Sequence, residues 1–371
     1  MQVTPIHAHD KRLLHEFIRF PRILYGNTRW IQPLTRQVAR KIDPAVSSFC
    51  RYGSVRLYVA RSDDGGVCGR IAAITNPWHE RLHGDPAGFF GMFESIDDIR
   101  VAEALLHEAC SYIKNNNYTS IIGPVNLSTN DESGFLLEGY EHYPTFMCGY
   151  SLPYYHSLME RCGLSKLVDT IAYETYWGHP FPKKYYRVIE RARNNSHIRI
   201  RKFSRRTSAR DIQQIRDIYN ESFKSIWGFV PISEAEAQEL GEDLLQFADL
   251  DLVWLADYDN HPVGFILGFP DLNEILRHSG GRLGPLTLLR ILFPRRSMHD
   301  MRVAAFGVLP EYRALGIEAA LIWRVHERIN NRPYRRIEFS VVMENNRPMR
   351  KLLEALGFTA AKRYRLYGME L

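Results

Sequence analysis

Apolar positions along the chain fall into short alternating runs and longer stripes of helical period, and the two kinds follow one another twice in the same order. Val55 to Ala60 alternates like a strand, Asp63-Asp64-Gly65-Gly66 supplies a turn, and Val67 to Ile74 returns as a second strand. Leu252 to Tyr258, the turn Asp259-Asn260-His261-Pro262 and Val263 to Phe269 repeat that hairpin in the second half. Downstream, Phe89 to Glu94 matches Val303 to Val308, and the helical stripe Val101 to Lys114 matches Ile317 to Ile329. Ser120 to Gly123 then matches Arg336 to Val341, and Tyr154 to Leu164 matches Pro348 to Phe358. Hairpin, strand, helix, strand, helix, twice over, predicts an α/β protein of two tandem units, each a central mixed β-sheet flanked by helices. A further stripe over Ala209 to Phe223, with Ile212, Ile215, Ile218 and Tyr219 on one face, opens the second copy.

The length agrees, since 371 residues exceed what one hydrophobic core normally organises. We expect a first unit over 1–180, a basic linker or first strand of the second unit over 181–205, and a second unit over 206–371. The turn Pro180-Phe181-Pro182 and a run of charge interrupt the pattern there.

The segment Phe306-Gly307-Val308-Leu309-Pro310-Glu311-Tyr312-Arg313-Ala314-Leu315-Gly316-Ile317 joins a short apolar strand to a long helix through a Pro-marked bend and a tight Arg-Gly curl. Such a bend exposes several N–H groups at a helix N-terminus, a site that favours a phosphate. The corresponding stretch of the first copy, Glu94-Ser95-Ile96-Asp97-Asp98-Ile99, has three carboxylates and no glycine turn, so it is ill suited to wrap a phosphate.

With Asn345-Asn346-Arg347-Pro348-Met349 and Leu356-Gly357-Phe358, that segment resembles the cofactor-binding core of the GNAT superfamily of acyl-CoA N-acyltransferases. The resemblance implies a CoA thioester, acetyl-CoA or a longer acyl-CoA, as co-substrate, and no metal. It places cofactor contacts on Gly307, Val308, Arg313, Ala314, Leu315, Gly316, Ile317 and Asn345. It makes the first unit a degenerate copy. Two positions depart from the family pattern. Glu318 stands where a small residue is usual, and Leu353 occupies the place of a Tyr that acts as acid toward the departing thiolate. Both halves also resemble bacterial tandem GNAT-like proteins, through Gly123-Pro124-Val125-Asn126, Ser128 to Glu132, Trp227-Gly228-Phe229-Val230-Pro231 and Pro270-Asp271-Leu272-Asn273. Bacterial ceramide synthases, which acylate the amine of a sphingoid base, are similar in size and layout. That implies acyl transfer to a primary amine, a sphingoid or other lipid amine among the acceptors. A non-catalytic acyl-CoA-binding or sensor module, or a structural protein that retains the architecture, is the alternative.

Acyl transfer needs a neutral nitrogen, a polarised carbonyl and a route for the proton. Glu338 and Glu344 are the candidate bases, while Tyr312 and Tyr364 are candidate acids in place of the missing Tyr. Asn130, Asp131 and Glu132 sit in a Gly-, Asn- and Ser-rich loop at a strand exit, where they would either grip an acceptor head group or latch the loop. Trp227 and Phe229 flank a Gly and would line an apolar acceptor cleft or anchor their own turn.

The net charge of +6 is unevenly placed: Lys183 to Arg206 holds ten Lys or Arg residues and only Glu190 against them. That run could be a solvated face, or could meet CoA phosphates or an anionic membrane. Nucleic acid is not expected, because no recognised binding motif accompanies the charge. The five cysteines are scattered with no C-x-x-C pair, which argues against a zinc cluster or a disulfide scaffold. The polar start Met1 to Lys11 and the lack of a long apolar run lead us to expect a cytoplasmic protein. The Leu- and Arg-rich stretch 280–298, which includes Leu286, Phe293, Arg295 and Arg296, would give it a peripheral foothold on the inner face of the membrane or else support the sheet.

Overall fold

The computed structural model of the protein describes residues 1–7, 9–176, 178, 180–247, 249–292, 298–329 and 334–371. In chain order the first elements are β1 (Gln2–Ile6), α1 (Lys11–Tyr25), α2 (Thr35–Ile42), β2 (Ser54–Arg61), β3 (Val67–Thr75), α3 (Pro77–His83), β4 (Ala87–Ser95), α4 (Ile99–Asn115), β5 (Ser120–Gly123), β6 (Phe135–Glu138), α5 (Tyr155–Arg161) and β7 (Ser165–Tyr176). There follow α6 (Lys183–Asn194), β8 (Ile198–Lys202), α7 (Ser208–Phe223), α8 (Glu234–Phe247), β9 (Val253–Tyr258), β10 (His261–Pro270), α9 (Asn273–Leu276), α10 (Pro285–Leu292), β11 (Asp300–Val308), α11 (Ile317–Ile329), β12 (Arg336–Met343), α12 (Arg347–Ala355) and β13 (Thr359–Glu370).

Two compact units result. The first contains Met1–Thr170, Gly280–Arg282 and Lys362–Leu371, and the second contains Ile171–Ser279 and Leu283–Ala361. In the first unit the strand order is β1-β2-β3-β4-β5-β13, with β6 also on β13. β13 runs antiparallel to β5, with Tyr367 opposite Gly123. Its residues Tyr364, Leu366 and Tyr367 are buried, which accounts for the C-terminal segment lying with the start of the chain. In the second unit the order is β12-β11-β10-β9-β8, antiparallel except for the parallel pair β11 and β12.

The repeat read from the pattern recurs as geometry. Helices α5 and α12 end alike: the Gly163 N–H donates to the Glu160 carbonyl and the Leu164 N–H to Met159, while Gly357 donates to Glu354 and Phe358 to Leu353. Both glycines have left-handed φ, +87° and +88°, and these paired bonds satisfy carbonyls that a helix end leaves open. The following Leu164 and Phe358 turn into their cores. In the second unit Leu321, Ile322 and Val325 of α11 and Leu353 of α12 pack with Ile337 and Phe339 of β12. No described helix is long and apolar enough to cross a membrane.

Candidate functional site

Strands β11 and β12 begin as a regular parallel pair and then part. Their register runs from Asp300 opposite Arg336 to Val303 opposite Phe339, whereas β11 continues to Val308 and β12 to Met343. A bulge sits at the parting. On the β10 side Leu267 faces Ala305 and Gly268 faces Val303, so Ala304 is the extra residue. Bulges re-aim backbone groups and end pairing; here the β12-facing edge of β11 loses its strand partner from Ala304 onward. Ala304, Ala305 and Phe306 are only half-buried, in keeping with an open edge.

Gly307 lies under the end of α7, where a Cβ would stand 2.5 Å from Ser222 Oγ and 3.1 Å from the Phe223 ring. Beyond buried Val308 the chain bends through Pro310–Tyr312. Arg313 ties the bend down: its Nε donates to the Val308 carbonyl at 3.1 Å and its Nη2 to the Ser222 carbonyl at 3.1 Å. The guanidinium thus ties the loop to the end of β11 and the end of α7. Ala314 has φ +67° and Gly316 φ +86°, and these two left-handed residues curl the backbone into the start of α11.

The consequence is a row of open donors. Among the described residues, no protein acceptor takes the N–H of Ala314, Leu315, Gly316, Ile317, Glu318 or Ala319; the first bond of the turn is Ala320 N–H to the Gly316 carbonyl at 3.0 Å. Gly316 and Ile317 are themselves buried, and buried N–H groups rarely stay unmet. Converging N–H groups at the positive end of a helix suit a diphosphate, so the residues present fit the CoA group that this fold implies. Glu318 is half-exposed in the first turn of α11.

At the end of β12, Asn345 is exposed, while its neighbour Asn346 caps α12 by accepting the Met349 N–H at 3.2 Å. Asn346 was not singled out from the sequence, although an Asn two residues ahead of a Pro is a helix-start signature. Glu344 is half-buried on the same turn, its carbonyl held by Arg350 Nη1 at 2.8 Å. Tyr312 packs on Tyr258 with ring centroids 5.2 Å apart. Leu353 is fully buried in the core.

Glu338 is placed differently, on the closed side of the parting and opposite Arg302 in register. It is fully buried and accepts from Arg336 Nη1 at 3.2 Å. Arg336 also meets Asp300 at 2.8 Å, Glu174 at 3.3 Å and Asp271 at 3.6 Å. Burial alone would lower the guanidinium pKa, yet Glu338, Asp300 and Asp271 outweigh it and hold the group above its ordinary value. Nearby Glu274 is raised by burial and by Asp300, against the His299 N–H it accepts. The arrangement holds the bottom of the strands together.

Behind β11, Tyr219 and Phe223 stack at 4.4 Å and Phe229 lies 6.0 Å from Tyr219. Phe229 is buried, and Trp227 beside it stays half-exposed. The second unit therefore gathers Gly307, Val308, Arg313 to Ile317, Tyr312, Trp227, Phe229, Glu338, Glu344 and Asn345. Tyr364, Asn130, Asp131 and Glu132 belong to the first unit.

There, the equivalent places are filled by the unit's own side chains. β4 and β5 pair only from Ala87 opposite Ser120 to Phe89 opposite Ile122, and a bulge follows around Met92 and Phe93. The loop after Gly123 closes onto that opening. A Cβ on Gly91 would lie 2.0 Å from the Val125 carbonyl oxygen, and the Met92 N–H donates to Asn126 Oδ1 at 2.9 Å. Asn126 Nδ2 in turn donates to Glu132 Oε2 at 3.2 Å, the Asn130 N–H donates to Ser128 Oγ at 3.2 Å, and Lys41 Nζ meets Asp131 at 2.5 Å. The start of α4 carries its own anion, because Asp98 accepts the Arg100 N–H at 2.9 Å. Asn126 and Asp98 thus accept backbone N–H groups at the bulge of β4 and at the start of α4.

Comparison with known proteins agrees with this geometry. Residues 212–358 match the Acetyltransferase (GNAT) family. The chain is 30% identical to Protein YghO of Escherichia coli, over 98% of this chain and 94% of that one. It is 28% identical to the bacterial ceramide synthase of Caulobacter vibrioides, over 96% and 95% of the two chains. Among solved structures, a tandem GNAT protein from the clavulanic acid biosynthesis pathway superposes with a TM-score of 0.58 at 11% identity, covering 100% of this chain and 98% of that one. A GCN5-related N-acetyltransferase from Sphaerobacter thermophilus gives 0.53 at 14% identity, covering 100% and 95%.

Proposed function

Since the chain belongs to the GNAT superfamily and is an N-acyltransferase of tandem GNAT architecture, we propose that its second unit binds a long-chain acyl-CoA and serves a lipid-like primary amine. Bound acyl-CoA supplies an activated acyl group. The residues of the second unit hold and orient it. The N–H groups of Ala314 to Ala319 receive the diphosphate, the unpaired edge of β11 from Ala304 to Val308 lies along the pantetheine arm, and Asn345 steadies the arm from the other strand.

We assign Glu344 as the group that accepts the amine proton. It stands at the open end of the parted strands, whereas Glu338 is buried on the closed side beneath Arg336. With Leu353 in the core, no side chain at that position protonates the leaving thiolate. The lipid character of the acceptor is supported by the full-length similarity to the Caulobacter ceramide synthase. It is supported also by Leu283, Leu288 and Leu289, all exposed around α10 with Arg290 among them. Residues 293–297 of the same stretch lie outside the described residues.

The observation that carries this reading is the row of open N–H groups beside two parted strands. Release of free thiol from a long-chain acyl-CoA, with and without a sphingoid-type amine, tests it. Thiol release that requires both substrates, and that falls sharply in Glu344→Gln, is the expected result. CoA binding with no amine-dependent release would instead favour the binding or sensor module.

A further inference from the structure

Helix α6 lies against the phosphate loop. A Cβ on Gly316 would stand 3.2 Å from Val188 Cγ1 and 3.3 Å from Ala192 Cβ, so these two side chains form the wall on which the loop rests. Ile189 and Ala192 are buried and face the core. At about 100° per residue, Lys184, Arg187 and Arg191 all fall within about 100° of Val188, on the side away from Ile189. They flank the loop, whereas Glu190 and Arg193 point elsewhere. All three are exposed, and among the described residues none of them meets a carboxylate. Lys184 Nζ lies 5.4 Å from the centre of the Tyr185 ring, and a helix that sets three cations without carboxylate partners beside a row of unused N–H donors is charged for an anion larger than the loop alone can answer.

We propose that Lys184, Arg187 and Arg191 of α6 form the binding site for the 3′-phosphate of CoA. This inference rests on the acyl-CoA reading above. The loop N–H groups answer the diphosphate with backbone dipoles, which leaves the phosphomonoester at the nucleotide end as the remaining strong charge, close to a dianion at neutral pH. Long Arg side chains on an exposed helix face suit such a group, because a guanidinium can engage phosphate oxygens through two parallel N–H donors. The basic run then selects CoA over donors that share its thioester and diphosphate and lack that phosphate.

Calorimetric titration of the full chain with CoA and with dephospho-CoA tests it. Wild type should bind CoA about tenfold or more tightly than dephospho-CoA, and Arg187→Ala with Arg191→Ala should bring that ratio close to one while leaving dephospho-CoA affinity within about twofold. Arg187→Lys with Arg191→Lys should restore part of the preference, and Arg193→Ala on the opposite flank should leave it unchanged. Equal weakening of both ligands in the double Ala variant overturns the proposal, because the cations would then serve the diphosphate or the fold. An unchanged ratio overturns it too, above all if the variant has lost binding to vesicles containing phosphatidylglycerol. If wild type bound neither ligand, the acyl-CoA reading itself would fall; if wild type bound CoA and the variant matched it, only this assignment would.

Discussion

Substituting Gly316 by Ala places a methyl group at a left-handed, closely packed point of the loop proposed to hold the diphosphate. An L-residue at φ +86° carries about 1–2 kcal/mol of left-handed strain. The added Cβ would also meet Val188 Cγ1 and the Val188 carbonyl oxygen, both at 3.2 Å, and Ala192 Cβ at 3.3 Å. Two of those contacts are backbone or a short side chain, which cannot rotate aside, so either α6 shifts by a few tenths of an ångström or the loop opens. A shift of α6 adds about 1 kcal/mol of overpacking to the strain. Opening the loop costs at least one charge-assisted hydrogen bond to a bound phosphate, about 1.5–3 kcal/mol, which is tenfold or more in affinity. We therefore expect Gly316→Ala to lower unfolding free energy by about 2 kcal/mol and CoA affinity by tenfold or more. Urea unfolding and calorimetric titration read the two separately. Gly65→Ala is the matched control: its φ is +85° and no atom lies within 4 Å of the added Cβ, so it should show the strain alone and bind CoA as wild type does. If Gly316→Ala bound CoA within twofold of wild type, the loop would not be the phosphate anchor.

Three further outcomes follow from particular contacts. Glu318→Gln removes a carboxylate from the first turn of α11, and should raise CoA affinity about threefold by titration while lowering stability by about 0.5 kcal/mol, since an acidic residue there favours the helix. Asn126→Ala leaves the Met92 N–H of the first unit without its acceptor, and should cost about 1–3 kcal/mol in urea unfolding with CoA affinity unchanged; weakened CoA binding would contradict the self-filled opening. His79 is buried with neither ring nitrogen hydrogen-bonded, and burial, then His83, lower its pKa from 6.5 to about 4. Because the folded value is depressed, its neutral form favours the fold fully above pH 6.5, and that contribution, on the order of 3 kcal/mol, is lost as pH falls toward 4. His79→Phe should flatten the fall in urea midpoint between those values, and an unaltered pH profile would show that His79 is not its source.

Much of the fold was legible because it is local and periodic. The hairpins, α4, α7, α11 and both Gly-ended helices fall within a few residues of where alternation, helical stripes and turn residues placed them. The shape of the loop ahead of α11 was legible too, since a Pro bend followed by Arg and a left-handed Gly ahead of an apolar helix specifies its own conformation. What escaped is non-local. Arg313 is placed in the loop by sequence, while the Val308 and Ser222 carbonyls that take its N–H groups can only be found in space. The loop 123–134 was open in sequence to two readings, an acceptor grip or a latch, and the contacts of Asn126 with Met92 and of Asp131 with Lys41 could not be foreseen from either. Nor does any local pattern say that Tyr364 lies opposite Leu136, or that α6 lies on Gly316, since contacts so far apart in sequence leave no periodic trace.

The two units show one architecture under opposite demands. At the start of α4 an Asp accepts the N–H that the helix cannot satisfy, which stabilises such a terminus by about 1 kcal/mol. At the start of α11 no capping side chain intervenes and six N–H groups stay open among the described residues. The same contrast holds at the bulges, where the Met92 N–H is met by Asn126 and the edge of β11 beyond Val303 has no strand partner. A site that must receive an anion and an amide cannot also satisfy its own donors. On the reading proposed above, the second unit forgoes local stability at the points where the first has gained it, and a bound ligand would restore it. Among the described residues, the open N–H groups at the start of α11 coincide with the parted strands of the same unit, and this supports the proposal that acyl transfer belongs to the C-terminal half.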